Sequence, residues 1–313
     1  MNPLKRLILG HLPFIGISYQ GKERDKEYHR RFSEMTTTRK VVEASIKCGI
    51  HRFAAATIHS APLSSVHLQV LRLLIREGYN IELLPCIEIP LKLEGHGIDA
   101  YRRWATYASI EVRLYPEAKR RMLTDPILNF REDWKYRVTR SIPYKEADFP
   151  RLNIDWNMID EDLQFFTQLP VSQIEFGSEA DFLAISGRFD LMNELVKRAQ
   201  RHGFPKVLFG VHHAGTTIPR LEDNLKAIQG YVTPLNPLGV MMFPTKPSAE
   251  QAARNTAKPV FAIKPLAGGR TSPKKAFTYI SNFDVEGCFV GVGSIRELKE
   301  NIEAAKYVAE NLS

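Results

Sequence analysis

Five polar side chains sit at or just past the ends of apolar runs in this sequence. His59 follows the run 52–57, Glu88 stands near the end of 82–89, Glu179 follows 173–177, His212 follows 206–211, and Lys264 closes 260–264. A histidine titrates near neutral pH and can give or take a proton there. Glu88 or Glu179 can orient such a histidine or act as its partner. Two histidines with one or two carboxylates can also hold a divalent metal, although these residues come from separate runs and no local spacing tests the idea. A lysine desolvated behind Val260, Phe261, Ala262 and Ile263 is the nucleophile that imine chemistry needs. The glycine turn beside Lys264 favours a plainer role, contact with a phosphate. Single residues have bland explanations: one ring of His212-His213 packed inward, or a salt bridge from Glu88 to the basic residues of 91–170. Five polar residues at equivalent positions point to a site.

Two stretches have the form strand, glycine turn, helix. One is Lys264-Pro265-Leu266-Ala267-Gly268-Gly269, and the other is Gly291-Val292-Gly293-Ser294 followed by a helical pattern. Backbone N–H groups converge on anions at such turns. The plain alternative is a tight turn followed by a solvated helix face.

The elements that position these residues recur along the chain. Strands are expected at 14–18, 52–57, 82–89, 173–177, 206–211, 239–243, 260–264 and 288–292. Helices are expected at 36–48, 64–77, 101–110, 189–201, 221–228, 249–255, 272–280 and 295–310, with an exposed polar loop at 20–31. Eight strands alternating with helices predict an α/β fold, a (β/α)8 TIM barrel formed by residues 1–313 as one domain. The ends at which the five residues fall are then the C-terminal mouth. Residues 91–170 exceed what one barrel helix needs. They are read as an insertion between strands three and four, holding the barrel helix 101–110 and either a lid or small subdomain over the mouth or a side ornament.

Four short pieces, in order, resemble the aldo/keto reductase superfamily. Gly16-Ile17-Ser18 is similar to its first-strand element and Lys206 to Val211 to its fifth strand. Lys264 to Gly269 is similar to its turn after strand seven. Gly291 to Ser294 with Leu298, Glu300 and Asn301 is similar to its last-strand element. The resemblance implies a barrel using NADP(H), with Leu266, Gly268 and Gly269 near the pyrophosphate. Gly293, Ser294 and Arg296 would lie near the adenosine phosphate, and Glu300 and Asn301 near the adenine. The catalytic half departs from the family. Ala54 stands at the Asp position and His59 at the Tyr position. The third strand ends without a lysine and the fourth without a histidine, and the pair after strand five is His212-His213.

The chain of 313 residues has 44% hydrophobic residues and a formal charge of +8. Its basic residues are scattered rather than striped, which speaks against nucleic acid and fits a small anionic or phosphorylated ligand. No apolar run is long enough to span a membrane. Cys48, Cys86 and Cys288 lie far apart, as expected for free thiols in a cytoplasmic protein. Three readings stay open. One is a divergent barrel binding NADP(H) or another phosphorylated ligand, an oxidoreductase with His59 as proton donor. The second is a lyase, aldolase or isomerase using Lys264 or a His/Glu base. The third is a non-catalytic ligand-binding or scaffold protein.

Overall fold

The computed structural model describes residues 6–311. In chain order the strands are β1 (Leu7–Gly10), β2 (Arg52–Ala56), β3 (Glu82–Ile87), β4 (Leu91–Leu93), β5 (His96–Gly97), β6 (Leu152–Ile154), β7 (Ile174–Phe176), β8 (Val207–Gly210), β9 (Gly230–Pro234), β10 (Val260–Ile263) and β11 (Gly287–Gly291). Eight of them close a parallel barrel in the order β1-β11-β10-β9-β8-β7-β3-β2. This is the (β/α)8 architecture expected. Side chains alternate along each strand. One set fills the barrel interior as a separate apolar cluster: Ile8, Ala54, Leu84, Leu208, Val232, Phe261 and Phe289. The other set packs outward under the helices.

The helices are α1 (Lys22–Phe32), α2 (Met35–Lys47), α3 (Ser64–Arg76), α4 (Ala100–Glu111), α5 (Ala118–Thr124), α6 (Trp134–Arg140), α7 (Trp156–Phe166), α8 (Ala180–Ile185), α9 (Phe189–Arg201), α10 (Ala214–Asn224), α11 (Lys246–Asn255), α12 (Pro273–Ile280) and α13 (Ile295–Asn311).

Four expectations outside residues 91–170 are corrected. The first strand is not 14–18 but β1, whose Leu7 to Gly10 pair with Cys288 to Gly291. Pro13 cannot donate to a ladder, and Leu12–Ile15 instead form a 3-10 turn that ends on Gly16 at φ 88. The charged stretch 20–31 is no loop, because α1 buries Tyr28 and Phe32 and points its charges outward. The sixth barrel strand is β9 rather than 239–243. Residues 239–243 are apolar because other chain covers them: Arg121 of α5 donates to the Gly239 carbonyl (2.9 Å), and Asp125 accepts from the Met241 N–H (2.7 Å). Finally, the helix after β8 is α10, which starts seven residues before the expected 221 and ends at Asn224.

Within 91–170 the expected helix 101–110 exists as α4, but the helix in the barrel ring is α7. Arg72 of α3 lies 5.7 Å from the Phe165 ring on one side of α7, and Arg198 of α9 pairs with Asp160 on the other. α4 packs against α5, α6 and α8 instead. Strands β4, β5 and β6 form a small antiparallel sheet in the order β5-β4-β6. Trp104 of α4 joins this segment to the strand ends, with its ring centroid 5.4 Å from Trp134, 5.2 Å from His213 and 5.6 Å from Phe243. Aromatic pairs of this kind add about 0.5–1.5 kcal/mol each beyond their burial.

Candidate functional site

Lys264 leaves β10 with a left-handed backbone, φ 54. That region costs a non-glycine residue about 1–3 kcal/mol and persists where the surroundings impose it. Its Nζ lies 3.0 Å from Nε2 of His212 and 5.2 Å from the centroid of the Tyr19 ring. His212 is fixed from behind. Asp181, at the start of α8, accepts the backbone N–H of His212 (2.7 Å), the N–H of His213 (3.2 Å) and the Thr217 hydroxyl (2.6 Å). Its burial pushes the carboxyl up to about 6, against the pull of His213. The two histidine rings go opposite ways. His213 is buried, its Nδ1 2.9 Å from Glu111 Oε2, and the other Glu111 oxygen accepts from Thr216. Burial opposes the charge on His213, but Glu111 outweighs it and raises the imidazole. Burial drives His212 well below the ordinary imidazole range, and Lys264 adds to the effect, so this ring is neutral.

Beneath Lys264, inside the barrel, lies a carboxylate that the sequence reading missed. Glu175 of β7 is buried, and its carboxyl is pushed up to about 7 by desolvation, with the Lys264 charge pulling the other way. A Cβ on Gly210 would stand 2.6 Å from Glu175 Oε1, so the absence of a side chain there is what makes room for the carboxyl. Cys86 of β3 is registered beside Glu175. Its thiol is pushed well up by burial and by that neighbour. His11, just past β1, is pushed down to about 4 by burial and by Lys264. Its Nδ1 is buried without a hydrogen-bond partner among the described residues. The signal for Glu175 was a lone acid inside the apolar run 173–177. The signal for His11 was hidden by placing the first strand too late.

The five expected residues divide. His212 and Lys264 meet. Glu179 pairs with Arg103 of α4 at 2.7 Å. Glu88 is exposed at the rim. Partial desolvation raises its carboxyl, Glu179 raises it further, and a Ser60 hydrogen bond opposes both. His59 is exposed on the loop after β2. Its charge acts on Asp162 of α7, which burial pushes to about 6. Among the described residues no group of three or more His, Cys, Asp or Glu side chains is placed to hold a metal ion.

The two glycine turns are occupied by the chain's own groups. Ala267, Gly268 and Gly269 all have positive φ. A Cβ on Gly269 would lie 2.5 Å from Gln20 Nε2, and one on Gly268 3.1 Å from Tyr19 Cβ. Arg270 holds this cover by donating to the carbonyls of Ala267, Gly268, Tyr19 and Pro126. Leu266 is half-buried in the same turn. At the second turn the Gly293 N–H donates to Glu297 Oε2 (2.7 Å), and the Glu297 N–H donates to Ser294 Oγ (3.2 Å). Ser294 thus caps the helix, and Glu297 reaches one residue past the N-cap to the Gly293 N–H. Glu297 is held in turn by Arg24 (3.0 Å), and a Cβ on Gly293 would meet the Tyr28 ring of α1 at 2.5 Å. Arg296 is exposed and lies 3.7 Å from Glu300. Asn301 is buried and donates to the Glu297 carbonyl at 2.7 Å. A carboxylate therefore stands at this helix N-terminus, where the resemblance would place a phosphate.

Two grooves lie away from these residues. One of about 590 Å³ is on the flank, lined by Arg72, Asp160, Phe165 and His202. The other, of about 500 Å³, borders Lys258, Pro259 and Asp284 before β10 and β11.

No family model matches the sequence, and no curated protein matches it significantly. Solved structures do. A putative aldo-keto reductase from Pseudomonas aeruginosa superposes with a TM-score of 0.56, covering 97% of this chain and 90% of its own, at 12% identity. An aldo-keto reductase from Bacillus halodurans, in its holo form, superposes with a TM-score of 0.53 over 96% of this chain and 86% of its own, at 11% identity. The fold is that of the aldo-keto reductases. Within this fold Ala54 is buried in the barrel interior and His59 faces solvent. The Gly16-Ile17-Ser18 piece stands apart from the first strand, which ends at Gly10, and Ser18 is tied to Asp25 instead (2.6 Å). No described helix is long and apolar enough to cross a membrane.

Proposed function

We propose that this chain is an enzyme of the lyase, aldolase or isomerase type, acting on a small carbonyl compound through Lys264. The observation that carries the reading is the 3.0 Å contact between Lys264 Nζ and the neutral His212 ring, over a buried Glu175 whose carboxyl is pushed up to about 7. The neutral His212 ring accepts a hydrogen bond and so orients Lys264 toward the mouth, and the unprotonated amine is the form that carries the attacking lone pair. That lone pair attacks the carbonyl carbon, and the oxygen leaves as water once protonated. Glu175, half protonated near pH 7, is the matching acid for that step and the base for a proton on the adjacent carbon. The substrate is anionic or phosphorylated, in keeping with the charge of +8. The segment containing α4, α5 and α6 acts as the lid, through its contacts with Glu179, Gly239 and Met241. Three free cysteines accord with a cytoplasmic protein. The test is reductive trapping: a carbonyl compound and a borohydride should mark Lys264 covalently, and an unmarked Lys264 with every carbonyl class would remove the reading.

A second reading is favoured by the holo reductase of the same fold. It is an NADP(H)-dependent oxidoreductase holding the cofactor at Leu266, Gly268, Gly269, Gly293, Ser294, Arg296, Glu300 and Asn301. It requires Glu297 to release the Gly293 N–H and α1 to withdraw Tyr28. NADPH titration followed by tryptophan quenching separates the two, since saturation in the micromolar range would restore this reading.

A further inference from the structure

One arginine near the mouth, among the described residues, has an aromatic neighbour but no hydrogen-bond or ion-pair partner for its guanidinium. The 3-10 turn Leu128–Phe130 is packed onto the turn that begins at Lys264. Ile127 Cδ1 would be 3.4 Å from a Cβ on Gly268, and the Arg270 guanidinium is 5.1 Å from the Phe130 ring centroid. Arg131 follows at once. Its guanidinium stands 5.5 Å from the Trp134 ring centroid, and the side chain is exposed. The neighbouring arginines are committed. Arg103 is paired with Glu179, Arg121 donates to the Gly239 and Met242 carbonyls, and Arg270 donates to four carbonyls. Among the described residues the Arg131 guanidinium forms no hydrogen bond or ion pair, yet its charge acts on His212 alongside those of Lys264 and Arg103.

We propose that Arg131 binds the anionic end, a carboxylate or a phosphate, of the substrate whose carbonyl carbon Lys264 attacks. The proposal rests on the Lys264 reading above. A guanidinium offers two parallel N–H donors that match either anion, and the Trp134 ring lies within cation–π distance of it. A guanidinium that follows the turn packed against Gly268 and Arg270, and whose charge reaches His212, gives a substrate with one anionic and one carbonyl end a fixed orientation.

The experiment compares three carbonyl compounds on the full chain with cyanoborohydride: pyruvate, glyceraldehyde 3-phosphate and the neutral propanal. The Lys264 nitrogen forms a bond to the carbonyl carbon, the oxygen departs as water, and the reagent's hydride reduces the iminium to a secondary amine seen by mass. Pyruvate or glyceraldehyde 3-phosphate should label Lys264 at concentrations about tenfold or more below propanal, and whichever does so identifies the carboxylate or the phosphate as the anion. Arg131→Gln should raise the half-labelling concentration of that anion about tenfold and leave propanal unchanged. Arg131→Lys, which keeps the charge, should recover part of the loss. Equal labelling by all three compounds, or an Arg131→Gln variant that weakens propanal equally, would overturn the anion site while leaving Lys264 as nucleophile. No labelling of Lys264 by any of them would remove both.

Discussion

Lys264 Nζ and His212 Nε2 lie 3.0 Å apart although 52 residues separate them in sequence. The barrel explains the meeting. β8 and β10 flank β9, and inward residues of alternate strands share a layer. Asp181 then fixes the height of His212 through two backbone N–H groups, and the left-handed turn at Lys264 brings the amine across.

Glu175 should make stability depend on pH in a direction opposite to most carboxylates. Its native pKa of about 7 lies above the value of about 4.3 expected in the unfolded chain. Between those values the native state holds the extra proton, so this contribution is present below about pH 4 and is lost as pH rises through 7. Glu175→Gln should therefore be more stable than the wild type at pH 8 by about 2–3 kcal/mol, with little difference at pH 4. Urea denaturation at the two pH values reads this, and an equal effect at both would refute it.

His67 acts in the opposite sense over nearly the same window. It is buried, stacks on Phe14 with centroids 4.9 Å apart, and is pushed down to about 3 by burial and by His11. Its contribution is present above about pH 6.5 and is lost as pH falls toward 3. His67→Phe should flatten the acid limb of the stability curve by about 3 kcal/mol, or less if the ring overpacks. A limb unchanged in urea melts from pH 7 to 4 would show that His67 is not the group that titrates.

The Arg103–Glu179 pair, with both side chains largely buried, ties α4 to the end of β7. Arg103→Ala leaves Glu179 without its partner and should cost about 2–4 kcal/mol, less than a fully enclosed pair. The double variant Arg103→Ala, Glu179→Ala should recover part of that cost. Additive losses in the thermodynamic cycle would mean the two side chains do not interact.

Glu297 caps the helix that follows β11. Glu297→Ala should destabilise the chain by about 1 kcal/mol. It should also free the Gly293 N–H, so that added phosphate raises the melting temperature of the variant more than that of the wild type. An equal phosphate response in both would show that the N–H is not exposed by the change.

Much of the barrel was legible because β7, β8, β10 and β11 are short apolar runs followed by amphipathic helices. Lys264 and His212 could be placed at the mouth on that pattern alone. Their contact could not, since it depends on which strands are alternate neighbours and on the turn geometry at Lys264. Glu175 was passed over because an acid within an apolar run reads as part of a strand until the barrel interior is known. Residues 239–243 misled for a related reason: their apolar character answers to Arg121, Asp125 and the segment around them, not to a sheet. The glycine turns were visible at once, but the side chains of Gln20 and Tyr28 that cover them come from parts of the chain that local patterns do not connect, whereas Glu297, four residues after Gly293, was within local reach.

The central claim is that Lys264 is an amine nucleophile served by His212, and peptide-level trapping tests it most directly. Wild type, Lys264→Arg and His212→Phe would each be reduced with borohydride in the presence of a small carbonyl panel, then digested and mapped. The account predicts a single modified peptide containing Lys264 in the wild type, none in Lys264→Arg, and labelling slowed about tenfold or more in His212→Phe. Labelling spread over surface lysines, at a rate unchanged by either substitution, would contradict it.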